Sequence, residues 1–246
     1  MLSLTACATS GTAAPSPEAS PAHGSGTDAA VTDAGVSAVQ SSPTWVRLVT
    51  MGDAYTAGSA TDAPRRDSWP AQLAEAFKRR GMRMWVKNLA ANNKTSGRVL
   101  EEQLPRVASE QPDVVTLQVG VNDILFGETE SYGDNVGAIL EELLTFMPPE
   151  RVFVITTPDH TLTGWGDAYA PVEVGHAAVT EINETLREEA GAREVSVIDI
   201  GQVNGLVAID NSLVIDEGPD PTAKQYAGWV ELIGHHVERA LATLDP

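Results

Sequence analysis

The sequence is poor in cysteine, in positive charge and in long apolar runs. It holds one cysteine, Cys7, in 246 residues, which excludes an internal disulfide framework and a cysteine-based zinc site. Lysine and arginine total 16 against 34 aspartates and glutamates, a formal net charge of −18. A surface this acidic repels phosphate backbones and anionic headgroups, so it excludes nucleic acid as a partner and a polybasic grip on a membrane. No run approaches about 18 apolar residues, so the sequence as it stands contains no bilayer-spanning helix. A glycine-rich phosphate cradle is missing too. No cofactor and no resident metal are expected.

What is present divides at about Thr44. From Ala8 to Pro43 the chain is mostly Ala, Ser, Thr, Gly and Pro, its only large apolar residues are Val31, Val36 and Val39, and no Lys or Arg precedes Arg47. Such a segment buries too little to offset its ordering entropy and reads as a disordered tether. Leu4-Thr5-Ala6-Cys7 reads like a bacterial lipobox, with Cys7 as the lipidated residue. Six residues before Cys7 are too few for a basic n-region and an apolar h-region, so residues 1–43 are read as a truncated lipoprotein-type signal and tether. The competing reading is a disordered cytoplasmic extension. The first reading implies an extracytoplasmic protein of the bacterial cell envelope, secreted or membrane-anchored, that meets the membrane only through a lipid on Cys7. Residues 44–246 then form one domain with 31 acidic and 16 basic residues, so the acidity belongs to the globule.

That domain alternates short β-branched runs with amphipathic stretches. Strands are predicted at 45–51, 84–89, 113–119, 151–156 and 195–200. Helices are predicted at 69–80, 95–109, 134–147 and 172–190, with a last one from about Pro221. Apolar strands joined by helical crossovers imply a three-layer α/β/α architecture around a five-stranded parallel sheet. Sites in such sheets lie at the carboxyl ends of the strands. The loops to inspect are therefore 52–58, 88–95, 120–123 and the segment before the last helix.

Those loops resemble the SGNH (GDSL-type) hydrolases. Met51-Gly52-Asp53-Ala54-Tyr55-Thr56-Ala57-Gly58 is similar to the family's first block, Gly-Asp-Ser-x-Thr-x-Gly. Asn88 to Thr95 is similar to the second block, Gly120-Val121-Asn122-Asp123 to the third, and Glu217-Gly218-Pro219-Asp220-Pro221 stands where the family has Asp-x-x-His-Pro. The resemblance spans the whole globule and implies the SGNH-hydrolase (flavodoxin-like) fold. It also implies serine acyl transfer, in which a Ser attacks, a His serves as its base and an Asp orients the His. An oxyanion hole would come from the backbone N–H of the Ser, that of a second-block Gly, and the third-block Asn.

Carried over residue by residue, the catalytic positions are substituted. Ala54 holds the nucleophile position, and a methyl group cannot attack a carbonyl. Asp220 holds the base position, and a carboxylate of ordinary pKa near 3.9 is a poor base at neutral pH. Glu217 holds the orienting-acid position with no imidazole to orient. Asn93 aligns with the second-block Gly, and Asn122 alone is intact. Loss of triad members leaves catalysis on the order of 10³–10⁴ over water. The expectation is a catalytically impaired member. Its Ala54 and Asn93 N–H groups and Asn122 amide would form a polar cradle for a small acyl, acetyl or carbohydrate ligand.

Alternatives remain open. Thr56 is the nearest substitute hydroxyl for a rearranged esterase. His160 is the only histidine placed near a strand carboxyl end, whereas His176, His235 and His236 are read on solvated helix faces. Asp53, Asp216, Glu217 and Asp220 form a set that suits carboxylate-catalysed hydrolysis or a hard cation. Against that set stands an ordinary acidic helix start, with Asp220 as N-cap and Pro221 at the first helical position. Trp165 and Tyr169 offer an aromatic lip on the fourth strand's loop.

Overall fold

The computed structural model describes residues 45–242 apart from Tyr169 and Glu217. The expectations on Cys7, the 1–43 segment, Glu217 and Tyr169 lie outside the described residues. Five parallel strands are present: β1 Trp45–Gly52, β2 Arg83–Asn88, β3 Val114–Gln118, β4 Val152–Ile155 and β5 Ser196–Ile198. They pair in the order β2-β1-β3-β4-β5. The order reverses direction beside β1, so a crevice opens at the carboxyl ends of β1 and β3.

Alternation along β1 explains the three layers. Val46 and Leu48 face one side and Val49 and Met51 the other, and all four are buried. The first side packs with Val114, Phe153 and Ile198 against the helices Trp69–Arg79 and Ala223–Leu241. The second packs with Val115, Leu117 and Val154 against the helices Tyr132–Leu144 and Val172–Gly191. At roughly 25 cal/mol per Å² of apolar area removed from water, burial in these two cores is the main force holding the layers together. Among the described residues no helix is long and apolar enough to cross a membrane.

Two predicted helices differ in detail. The 96–110 segment is not a uniform helix: it widens to a π-turn at Val99–Gln103 before resuming as Leu104–Val107. Leu104 N–H bonds to Val99 O, five residues back, and Pro105 supplies no N–H to restore the four-residue register. The last helix begins at Ala223, with Thr222 as its N-cap. Asp220 is therefore not an N-cap, and Pro221 is not its first helical residue. Pro221 instead forms an antiparallel bridge with Val214, and Asp220 O accepts from Ile215 N at 3.0 Å. That backbone pairing closes the loop before the helix, which starts two residues later than expected.

Candidate active site

The site begins where β1 leaves the sheet. Gly52 has φ +148°, and a Cβ there would sit 2.1 Å from the Gln118 carbonyl oxygen, so only glycine passes. Its backbone is held by one side chain: Gln103 Nε2 donates to Gly52 O at 2.8 Å, and Gln103 Oε1 accepts from Gly52 N at 2.9 Å. Gln103 is the last residue of the π-turn, so the widened helix delivers this clamp. Asp53 then caps the short helix Ala54–Ala57, accepting from Tyr55 N at 3.0 Å. Ala54 follows, half-buried.

A buried polar seam joins the strand ends. Asn88, at the end of β2, donates to Thr56 O at 2.9 Å and accepts from Thr50 Oγ1 at 3.0 Å. Thr56 Oγ1 donates to Gln118 Oε1 at 2.9 Å, and Gln118 Nε2 reaches Thr156 O at 3.4 Å. Thr156 Oγ1 in turn accepts from Ile200 N at 3.1 Å. Buried hydroxyls and amides require such partners, and here they tie the ends of all five strands together. Thr56 is thereby accounted for: it is fully buried and its hydroxyl proton is committed to Gln118. It is not a substitute nucleophile.

The other residues expected of the polar cradle come from two further loops. Gly120, at φ +148°, leaves no room for a Cβ, which would lie 2.5 Å from Thr157 Oγ1. It opens the helix Val121–Phe126, whose first turn carries Asn122 and Asp123. Asn122 Nδ2 donates to Lys94 O at 3.1 Å, which brings this amide to the Asn93–Lys94 turn. Asn93 is exposed with φ +58°, a left-handed conformation that glycine takes freely and asparagine tolerates. Asp123 is fully buried and accepts from Ser96 N at 3.0 Å and Ser96 Oγ at 2.5 Å. Among the described residues, neither the Ala54 nor the Asn93 N–H has a hydrogen-bond partner.

Charge in this region is held down by burial. Burial pushes the Asp53 carboxyl up to about 8; the Tyr55 N–H opposes this, and the Asp123 and Asp220 carboxylates add to it. Burial also raises Asp123, against the Ser96 bonds that lower it, and raises Asp220. The structure thus brings the Asp123 and Asp220 carboxyls within electrostatic reach of Asp53, which Ala54 follows in the turn. Asp216 is exposed. Among the described residues no group of three or more His, Cys, Asp or Glu side chains is placed to hold a metal ion. The geometry therefore gives the hard-cation reading no support from Asp53, Asp216 and Asp220.

Of the histidines expected on solvated helix faces, His176 and His235 are exposed and His236 is not. His160 is buried in a short 3-10 turn, and burial lowers its pKa. His236 is half-buried with its ring edge-on to Phe153 at 6.1 Å. His176 is on a helix face as expected, but its Nδ1 lies 2.5 Å from Asp159 Oδ2. Sequence reasoning misses that pair because its members are separated by the whole loop after β4. The signal available is Asp159-His160, and it points to the neighbouring histidine. The pair borders a cavity of about 330 Å³ with Thr180, Asn183, Arg187 and Asp199.

A parallel α/β sheet with a glycine-gated turn after its first strand and an Asn–Asp turn after its third defines the class: a hydrolase-type α/β fold with its site at the strand carboxyl ends. Residues 50–233 match the GDSL-like Lipase/Acylhydrolase family, and the chain belongs to that family. A multidomain esterase of Ruminococcus flavefaciens is 28% identical over 130 residues, covering 50% of this chain and 16% of the relative. The chain thus spans a small part of that relative's length. The lipase/acylhydrolase of Enterococcus faecalis superposes with a TM-score of 0.66 at 20% identity, covering 79% of this chain and 96% of the other. The psychrotrophic esterase EstA of Pseudoalteromonas sp. superposes at 0.65 with 14% identity, covering 80% and 99%. At these identities the two structures share the fold.

Proposed function

We propose that this chain is a catalytically impaired SGNH hydrolase that uses its retained cradle to bind a small acyl, acetyl or carbohydrate ligand at the cell envelope. The carrying observation is Ala54 at the position where the family has its nucleophile, on a turn still held by Gln103 and capped by Asp53. Asp220 supports the same reading. It stands at the base position, where a carboxyl replaces the imidazole, and the Ala54 methyl offers it no hydroxyl to activate. The Asn122 amide and the Ala54 and Asn93 N–H groups are the donors that would hold a carbonyl or hydroxyl oxygen. Lipidation at Cys7 would place the domain at the membrane surface.

Short-chain aryl-ester turnover tests it. The expected result is no rate above buffer for the unaltered chain and measurable esterase activity for Ala54→Ser combined with Asp220→His. Activity in the unaltered chain that disappears with Asn122→Ala would sink the reading, and so would a folded double variant with no gain. Metabolic labelling with a radioactive fatty acid, lost in Cys7→Ser, tests the anchor.

One observation favours a second reading, an active hydrolase with a rearranged site. With its proton on Nδ1, His176 donates to Asp159 Oδ2 at 2.5 Å and leaves Nε2 as a base. In that case Nε2 takes a proton from water, the water oxygen adds to an ester carbonyl, and the proton passes to the departing alcohol. Turnover abolished by His176→Ala but kept in Asn122→Ala would select this reading over the first.

A further inference from the structure

The amino end of the sheet carries a feature that no hydrolase chemistry requires. β1 and β2 start side by side in parallel register, with Trp45 opposite Arg83 and Arg47 opposite Trp85. Paired residues of a sheet share a face, so two tryptophans and two arginines alternate in a checkerboard on one surface. All four are exposed, Trp45 at 58% and Trp85 at 40%. Helical cover stops short of them: Ser109, Glu110 and Gln111, where the 96–110 segment ends, close the other side of a groove of about 410 Å³. Indoles this large are normally buried when nothing is bound to them.

The charges in the groove are as informative as the rings. Lys87 pairs with Glu110 at 2.8 Å. Among the described residues, neither arginine has a carboxylate partner for its guanidinium. Arg83 lies over the Trp45 ring at 5.3 Å, a cation–π contact, and Arg47 donates to the neutral Gln111 amide at 3.0 Å. In a chain with twice as many acids as bases, two such guanidiniums mark a place that an outside carboxylate complements.

We propose that this groove binds an oligosaccharide bearing a uronic-acid ring, with pyranose C–H faces stacked on Trp45 and Trp85 and the ring carboxylate held by Arg47 and Arg83. A pyranose presents an apolar C–H face and a rim of hydroxyls. The groove offers aromatic planes with a few placed polar groups, Ser109 and Gln111 among them, which is the usual composition of a small-ligand site. A short ligand with one carboxylate escapes the long-range repulsion that a polyanion meets from this acidic domain, because charges beyond about 8–10 Å are screened at physiological salt. An anionic bilayer does not escape it, so the observations favour the sugar. The groove stands at the opposite end of β1 from Ala54, roughly 25 Å away for an eight-residue strand. It is therefore a second site, independent of the reading given to the first.

Titration calorimetry of the full chain is the test, with xylotriose carrying one glucuronic acid, unsubstituted xylotriose, and phosphatidylglycerol vesicles as probes. The acidic sugar is expected to bind at least about tenfold more tightly than the neutral one. Trp85→Ala and Trp45→Ala should each weaken it about tenfold, and Arg47→Gln with Arg83→Gln should erase the preference for the acid. These tryptophans are exposed, so circular dichroism should report an unchanged fold in each variant. Equal binding of both sugars, binding that survives loss of both tryptophans, vesicle binding without sugar binding, or no binding at all would each overturn the proposal.

Discussion

Asp53 is one carboxyl whose surroundings set a measurable property of the domain. Its folded pKa is about 8 against 3.8 for the free side chain, chiefly through burial. A carboxyl raised in the folded state keeps its proton while the unfolded chain releases it. The folded form then binds more protons, and stability falls as pH rises from about 4 to about 8. Asp53→Asn keeps an oxygen for Tyr55 N and removes the titration. Its melting temperature should match the unaltered chain near pH 4 and exceed it near pH 8. Parallel curves across that range would show that Asp53 is ionised throughout. At this scale the candidate site is legible where a motif lies within a few consecutive residues: Ala54 and Asn122 stand in short blocks with fixed spacing. Thr56 is not legible, because its partner Gln118 is 62 residues away. The Asp159–His176 pair is hidden for the same reason.

Elements are legible where burial is periodic. The five strands are predicted because each is a short run rich in β-branched or other apolar residues, and β3 is buried at every position. The helix Tyr132–Leu144 is predicted from its apolar stripe. Short helices after strand ends, such as Val121–Phe126, have too few turns to show a period and read as loops. The π-turn escapes for a different reason. Its cause, Pro105, is visible in the sequence, but its use is the Gln103 clamp on Gly52 across 51 residues. Asn183 repeats the device at the end of β4, accepting from Thr157 N at 2.8 Å and donating to Thr157 O at 2.9 Å. Gln103→Leu keeps the bulk and leaves the buried Gly52 N–H without its partner, while Gly52 O keeps Ala91 N at 3.3 Å. It should cost about 1–3 kcal/mol, measurable as a lower urea midpoint. A midpoint within error of the unaltered chain would mean that another group already satisfies Gly52.

For the whole molecule the acidic excess has a consequence in salt. Most ion pairs are exposed, such as Arg98 with Glu101 and Lys78 with Glu75, and each is worth between nothing and about 1 kcal/mol. Self-repulsion of a strongly acidic domain acts over the whole surface and is screened by added ions. The melting temperature should therefore rise by a few degrees, the equivalent of about 1 kcal/mol, between low salt and 0.5 M NaCl. A fall would mean that the ion pairs outweigh the repulsion.

The sequence by itself determined the layers and the family, because these depend on residue type and local spacing. Periodic burial writes the strands and long helices into the order of apolar residues, and a substitution at a motif position is readable in place. Only the tertiary structure decided what the loops do with their polar groups. It committed Thr56 to Gln118, made Asp220 part of a closed loop rather than a helix cap, set His176 on Asp159, and left Trp45 and Trp85 uncovered. Each of these depends on a partner brought close by folding, and hydrogen bonding and burial act through distance in space rather than along the chain.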